Sequence, residues 1–191
     1  MFKKTFLFAL IFLISGCSSN MKTEDFIGQQ PRLVLEDYFV GQTKAWGMFH
    51  DRFGNLKRQF LVDIKGSWDG ERLVLDENFV YADGEIDRRI WKITKINNNT
   101  YTGTADDVIG VAKGSTFGNA LNWSYEMDLK VGGSSYRVKF NDWMYLQPDG
   151  VLLNRAEISK WGIQLGIVTL SFQKNNKDIN NSIFLQKQAA E

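Results

Sequence analysis

Between Ala120 and Leu146 apolar and polar residues alternate with a period of two. Trp123, Tyr125, Met127, Leu129 and Val131 alternate with Asn122, Ser124, Glu126, Asp128 and Lys130. After Gly132-Gly133, Tyr136, Val138, Phe140, Asp142, Met144 and Leu146 alternate with Arg137, Lys139 and Asn141. This period predicts two strands, each with one dry and one wet face. The glycine pair predicts a tight turn joining them. Pairing through that turn sets Leu129 opposite Tyr136, Met127 opposite Val138 and Tyr125 opposite Phe140. On the wet face Asp128 then meets Arg137 and Glu126 meets Lys139, which is favourable cross-strand chemistry. Asp142, opposite Trp123, breaks the dry face.

The same text runs almost to Lys174. Turn signals recur at Phe53-Gly54-Asn55, Asp69-Gly70, Asp83-Gly84, Asn97-Asn98-Asn99, Gly118-Asn119, Pro148-Asp149-Gly150 and Trp161-Gly162. No stretch sustains a period of 3.6. The spacing predicts an all-β chain, a single antiparallel up-and-down β-barrel of about 8–10 strands, since closure removes exposed edges. A sandwich is the alternative. A two-residue turn at Asp69-Gly70 sets Val62 opposite Glu77, a second carboxylate on a dry face. Across Pro148-Asp149-Gly150 the expected register sets Met144 beside Arg155, with Asp142 one diagonal step away.

The chain begins differently. Residues 1–16 have the layout of a signal peptide: Lys3 and Lys4, then an apolar run from Phe6 to Ile14, then Ser15-Gly16. Leu13-Ile14-Ser15-Gly16-Cys17 resembles the bacterial lipobox, which implies lipidation of Cys17 and an anchor in the membrane. Ser18 follows where an aspartate would signal inner-membrane retention, so outer-membrane anchoring, facing the periplasm, is expected. An ordinary signal with an incidental cysteine is the alternative. Residues 17–32 read as a lipidated Cys and tether, 33–174 as the barrel, and 175–191 as a polar, disordered tail.

Composition narrows the function classes. The 191 residues are 43% apolar and 14% aromatic, which supports a sizeable core. The net charge is +1, and losing Lys3 and Lys4 with the leader leaves the chain near neutral, so nothing attracts nucleic acid. One His and one Cys exclude a disulfide framework and a zinc cluster of the usual spacing. No phosphate loop, dinucleotide fingerprint or nucleophile elbow occurs, so no cofactor is implied and no catalytic residue is assigned.

The candidate site residues are those that interrupt apolar faces. Glu77, Arg89, Asp106, Asp107, Asp142 and Arg155 are charged residues inside or beside apolar runs, and buried charges must be paired. They form either an interior salt-bridge network that pins register or the polar end of a ligand cavity. In the second case Arg155 or Arg89 would hold a carboxylate or phosphate head group. Asp106 and Asp107 are neighbours that point to opposite faces, and a turn or cap role fits them. His50, beside Asp51-Arg52 near a turn, fits the surface.

Trp46-Gly47 and Asn154-Arg155 resemble the lipocalin pattern, in which a Trp of the first strand packs under a late Arg. Lipocalins place the Gly before the Trp, so the match is loose. The resemblance adds Trp46 to the candidate list, and Trp123 joins it from the hairpin. A fuller resemblance is to a family of uncharacterised lipoproteins of Gram-negative bacteria, a domain of unknown function. The stretches Leu35–Phe60, Tyr81–Trp91, Tyr101–Gly114, Gly118–Val131, Phe140–Leu146 and Leu152–Gly166 carry it. It implies a lipocalin-like barrel, outer-membrane lipidation and genes near cyclopropane-fatty-acid-synthase-like enzymes. It implies no activity and no catalytic residues.

Three functions follow. The first is a lipid-anchored barrel that binds or carries an apolar or amphipathic molecule, such as a fatty acid or phospholipid-derived ligand. The second is a structural or partner-binding envelope lipoprotein with a filled barrel. The third is an enzyme acting on modified lipids. An internal cavity above about 300 Å³ favours the first or third.

Overall fold

The protein is described here by a computed structural model covering residues 21–131 and 133–174. The leader, Cys17 and the 175–191 tail lie outside the described residues. Ten antiparallel strands close into one barrel in chain order: β1 (Gly41–Asp51), β2 (Leu56–Trp68), β3 (Arg72–Tyr81), β4 (Ile86–Lys95), β5 (Thr100–Thr104), β6 (Val108–Phe117), β7 (Ala120–Val131), β8 (Ser134–Leu146), β9 (Leu152–Lys160) and β10 (Ile163–Lys174). β1 pairs with β10 from Thr43↔Lys174 to Asp51↔Gly166, which joins the two ends of the meander. Among the described residues, the ring of strands leaves no edge open for pairing with another chain.

The β7–β8 hairpin has the register that its alternation predicts, including Trp123↔Asp142 and Asp128↔Arg137. Arg137 and Asp128 bond on the outer face at 3.0 Å. Two other registers differ from the sequence-based expectation. The β2–β3 pairing sets Ile64, not Val62, opposite Glu77. The turn is longer than two residues because Asp69 Oδ1 accepts hydrogen bonds from the backbone N–H groups of Glu71 and Arg72. The shift is two residues, so Glu77 keeps its face. In the β8–β9 pairing, Met144 faces Asn154 and Trp143 faces Arg155. Here the shift is a single residue, which exchanges inside for outside.

A short helix that the strand-like text concealed closes one end. Helix α1 (Leu35–Phe39) precedes β1 and buries Leu35, Tyr38 and Phe39. Five residues are too few to display a helical period. Tyr38 donates to the carbonyls of Gly150 and Phe172, and the Phe39 ring meets Phe172 edge-on at 5.8 Å. The Glu36 carboxylate accepts from the Tyr101 hydroxyl at 3.0 Å and from Lys95 Nζ. The helix is thus tied to both flanks of the barrel. Before it, a 3₁₀ turn (Thr23–Phe26) lays Phe26 against Trp143 and Tyr145 on the outer wall.

Glycines inside the barrel make room for these contacts. A Cβ on Gly66 would lie 1.8 Å from the Phe39 carbonyl oxygen, and one on Gly114 would lie 2.3 Å from the Trp123 ring. Gly66→Ala is therefore expected to push α1 off the barrel end and lower stability by about 1–3 kcal/mol or more. A denaturant midpoint unchanged from wild type would show that the helix tolerates displacement.

Candidate functional site

The inward residues do not fill the barrel. They surround a cavity of about 820 Å³ that runs from Leu35 and Phe39 at the closed end to Lys57, Arg58, Glu85, Lys130 and Gly133 at the other. The mouth lies among the β1–β2, β3–β4 and β7–β8 turns. This is the size range of small-molecule sites.

Alternation along each strand builds the wall. Below the middle it is apolar, with Ile64, Leu75, Trp91, Ile93, Leu121 and Trp123. The Trp91 ring meets Trp123 edge-on at 5.6 Å and Tyr125 edge-on at 5.2 Å, and Tyr125 stacks on Phe140 at 5.0 Å. Towards the mouth, Phe60 packs against Phe79 and Tyr81, with Arg58 lying 3.6 Å over the Tyr81 ring. Arg58 also bonds Asp83 and Glu85, which ties β2 to the next turn.

A polar band crosses the wall between these zones. Glu77 lies halfway along β3 and faces Arg89 of β4. Arg89 bonds the carboxylate of Asp107, from the β5–β6 turn, at 2.7 Å. Asp142 of β8 and Asn154 of β9 lie deeper, and Asn154 Nδ2 donates to Asp142 Oδ1 at 3.2 Å. Tyr125, diagonal to Asp142 across the β7–β8 ladder, interacts with both groups.

Low polarity sets the charge states. Burial pushes the Glu77 carboxyl up to about 7; Arg89 opposes the shift, and Asp107 and Asp142 reinforce it. Burial also pushes Asp142 up to about 7, against the hydrogen bond from Asn154 and the charge of Arg89. The Tyr125 hydroxyl is raised well above its ordinary value, first by burial and then by Asp142. Burial works against the charge on Arg89, but Tyr125, Glu77 and Asp107 more than restore it. Glu77 retains some accessible surface, yet that surface faces the cavity, so the carboxyl is still cut off from bulk water. Near neutral pH the band therefore holds one committed cation and two carboxyls poised to gain or lose a proton.

Four of the candidate residues meet here: Glu77, Arg89, Asp142 and Trp123 all line the cavity. Two do not. Arg155 is on the outer wall, exposed, and Asn154 holds the inward position expected of it. Trp46 also faces out and is 44% exposed, because Gly47 takes the inward place beneath Phe60. The lipocalin-type packing of a Trp under a late Arg is absent from this pair. The alternation Leu152, Asn154, Ala156, Ile158 carried the signal for Asn154. The pairing of Asp107 with Arg89 follows from the β4–β5 register, since continuing it from Lys92↔Thr104 into the turn sets Asp107 opposite Arg89. His50 lies near the mouth-side turn. Among the described residues no group of His, Cys, Asp and Glu is placed to hold a metal ion.

A family model described as a protein of unknown function, DUF3833, matches residues 11–174. The chain belongs to the DUF3833 family. No curated protein sequence matches this DUF3833 chain. Among solved structures it is similar to the S-type phycobiliprotein lyase CPES from Guillardia theta, at 10% identity and a TM-score of 0.50, over 74% of this chain and 92% of that one. A likeness at that identity is one of fold.

Two outcomes follow for this DUF3833 protein. Arg155→Ala is expected to change stability by less than about 0.5 kcal/mol, as for other exposed side chains; a loss of several kcal/mol in urea unfolding would mean Arg155 is interior. The second concerns pH. The folded protein binds protons on Glu77 and Asp142 that the unfolded chain has released, between pH values of about 4 and 7. Their contribution to stability is complete at acid pH and is lost as pH rises to 7. Glu77→Gln should flatten the fall in urea midpoint between pH 5 and pH 8. An equally steep fall in the variant would show that Glu77 titrates normally.

Proposed function

We propose that this protein binds an apolar or amphipathic molecule of the lipid class inside its barrel and carries it in the cell envelope. The observation that supports this is the cavity, apolar over most of its wall, closed at one end by α1 and open at the other. A fatty acyl chain is the simplest occupant of such a volume.

The lipobox-like stretch fits the same reading. Met21 lies beside Tyr145 at the α1 end of the barrel. Four residues of chain reach at most about 14 Å, so an anchor on Cys17 would hold the closed end near the outer membrane and turn the mouth away from it. Such a protein would exchange its ligand with the periplasm or a partner.

One observation favours a second reading, docking of a partner protein. Trp46, Leu61, Val80 and Ile86 are consecutive cross-strand neighbours on the outer wall, and all four are exposed. Such a row is what a partner's apolar surface would cover. The open cavity weighs for the first reading, since a docking protein gains nothing from an unfilled core.

The test uses the Cys17→Ser protein produced in the periplasm, followed by native mass spectrometry and lipid extraction. A stoichiometric co-purifying lipid, or uptake of a neutral long-chain fluorescent probe, is expected. Ala156, buried on the cavity wall opposite Asp142, gives the control: Ala156→Phe should abolish uptake while leaving the far-UV spectrum unchanged. An empty wild-type protein that takes up no probe would overturn the reading and favour the outer wall.

A further inference from the structure

The cavity lacks partners for its acceptors. Asp142 Oδ2 and Asn154 Oδ1 are buried and accept no hydrogen bond among the described residues. Their residues are 6% and 2% exposed, and both line the cavity. Glu77 also has no hydrogen-bond or ion-pair partner within reach among the described residues, although Arg89 faces it in register. The guanidinium of Arg89 is instead turned to Asp107, with Nε 2.9 Å and Nη2 2.7 Å from Oδ2. Lys57, Arg58 and Lys130 line only the mouth.

The chemistry of this imbalance is directional. A buried acceptor without a donor is costly, and a ligand that supplies the donor recovers the loss. A carboxylate head would add a further anion beside Glu77, Asp142 and Asp107, with the nearest cation already bonded. An ammonium or hydroxyl head would meet Glu77, Asp142 and Asn154 with matching polarity, and charge-assisted bonds are the stronger ones. Resting on the ligand-binding reading above, we propose that the cavity selects apolar molecules whose polar end donates hydrogen bonds, a protonated long-chain amine foremost, over those that end in a carboxylate.

The preference depends on pH. The groups facing the two carboxyls are Arg89 from β4, Asp107 from the β5–β6 turn and Tyr125 from β7, with Lys57 and Arg58 of β2, Glu85 of the β3–β4 turn and Lys130 of β7 at the mouth. Arg89, raised by its acidic neighbours, keeps its charge across the neutral range, and the Tyr125 hydroxyl, raised by burial, keeps its proton. The carboxyls therefore set the change, and both lose their protons around pH 7. An amine gains an ion pair as they do so, whereas an alcohol gains only the strengthening of a hydrogen bond to one ionised acceptor.

The test is isothermal titration of the full-length Cys17→Ser protein with decylamine, 1-decanol and decanoate, whose chains match. At pH 8 decylamine is expected to bind about tenfold or more tightly than decanoate, one charge-assisted hydrogen bond's worth. Its advantage over decanol should shrink at pH 6. Asp142→Asn and Glu77→Gln should each weaken decylamine several-fold and decanol by clearly less. If either variant fails to fold, the other and the wild-type ranking decide. Decanoate binding as tightly as decylamine overturns the selectivity and leaves the ligand-binding reading standing. Failure of all three to bind overturns that reading itself.

Discussion

Strand number is the constraint on which the rest depends. A closed sheet of about eight strands leaves an interior that side chains can fill, and the diameter grows with each strand added. Ten strands exceed that limit. The inward aromatics are large, and several stack on one another, yet about 820 Å³ stays open. A barrel this wide needs a plug at one end to keep its apolar wall from being a through-channel. Helix α1 provides it with Leu35, Tyr38 and Phe39, each worth about 1.5–3 kcal/mol when buried. Gly66 is the inward position that permits the fit.

Width also explains the charge pattern. In a filled barrel a carboxyl on the dry face would need a partner side chain beside it. Here Glu77 and Asp142 face open space, and their cost is met in part by holding protons near neutral pH. Arg89 cannot discard its charge so easily, and it is the group that has a bonded anion, Asp107. Register pinning and ligand recognition are therefore not exclusive roles for these residues. The Arg89–Asp107 pair joins β4 to the β5–β6 turn, where β5 is short, while Glu77, Asp142 and Asn154 are left with unused bonding capacity.

The alternation along the chain by itself determined that the protein is all-β, that it meanders, and that Ala120–Leu146 pairs in one register. Local physics suffices there, because the period of two and a glycine turn fix both face and partner. It also placed Glu77, Asp142 and Trp123 on inward faces. Loop length was decided only by the folded chain. The Asx-type turn at Asp69 lengthened one hairpin by an even step and did no harm to the assignment of faces. The Gln147–Val151 loop moved another by an odd step and put Arg155 outside, with Asn154 in its place. Trp46 went outside for a related reason, since Gly47 claims the inward site under Phe60. The helix at the closed end is too short to leave a periodic signature, and the bond from Arg89 to Asp107 depends on the length of β5 and its register with β4. The open volume between the walls arises only when ten strands close, because closure sets the width of the barrel.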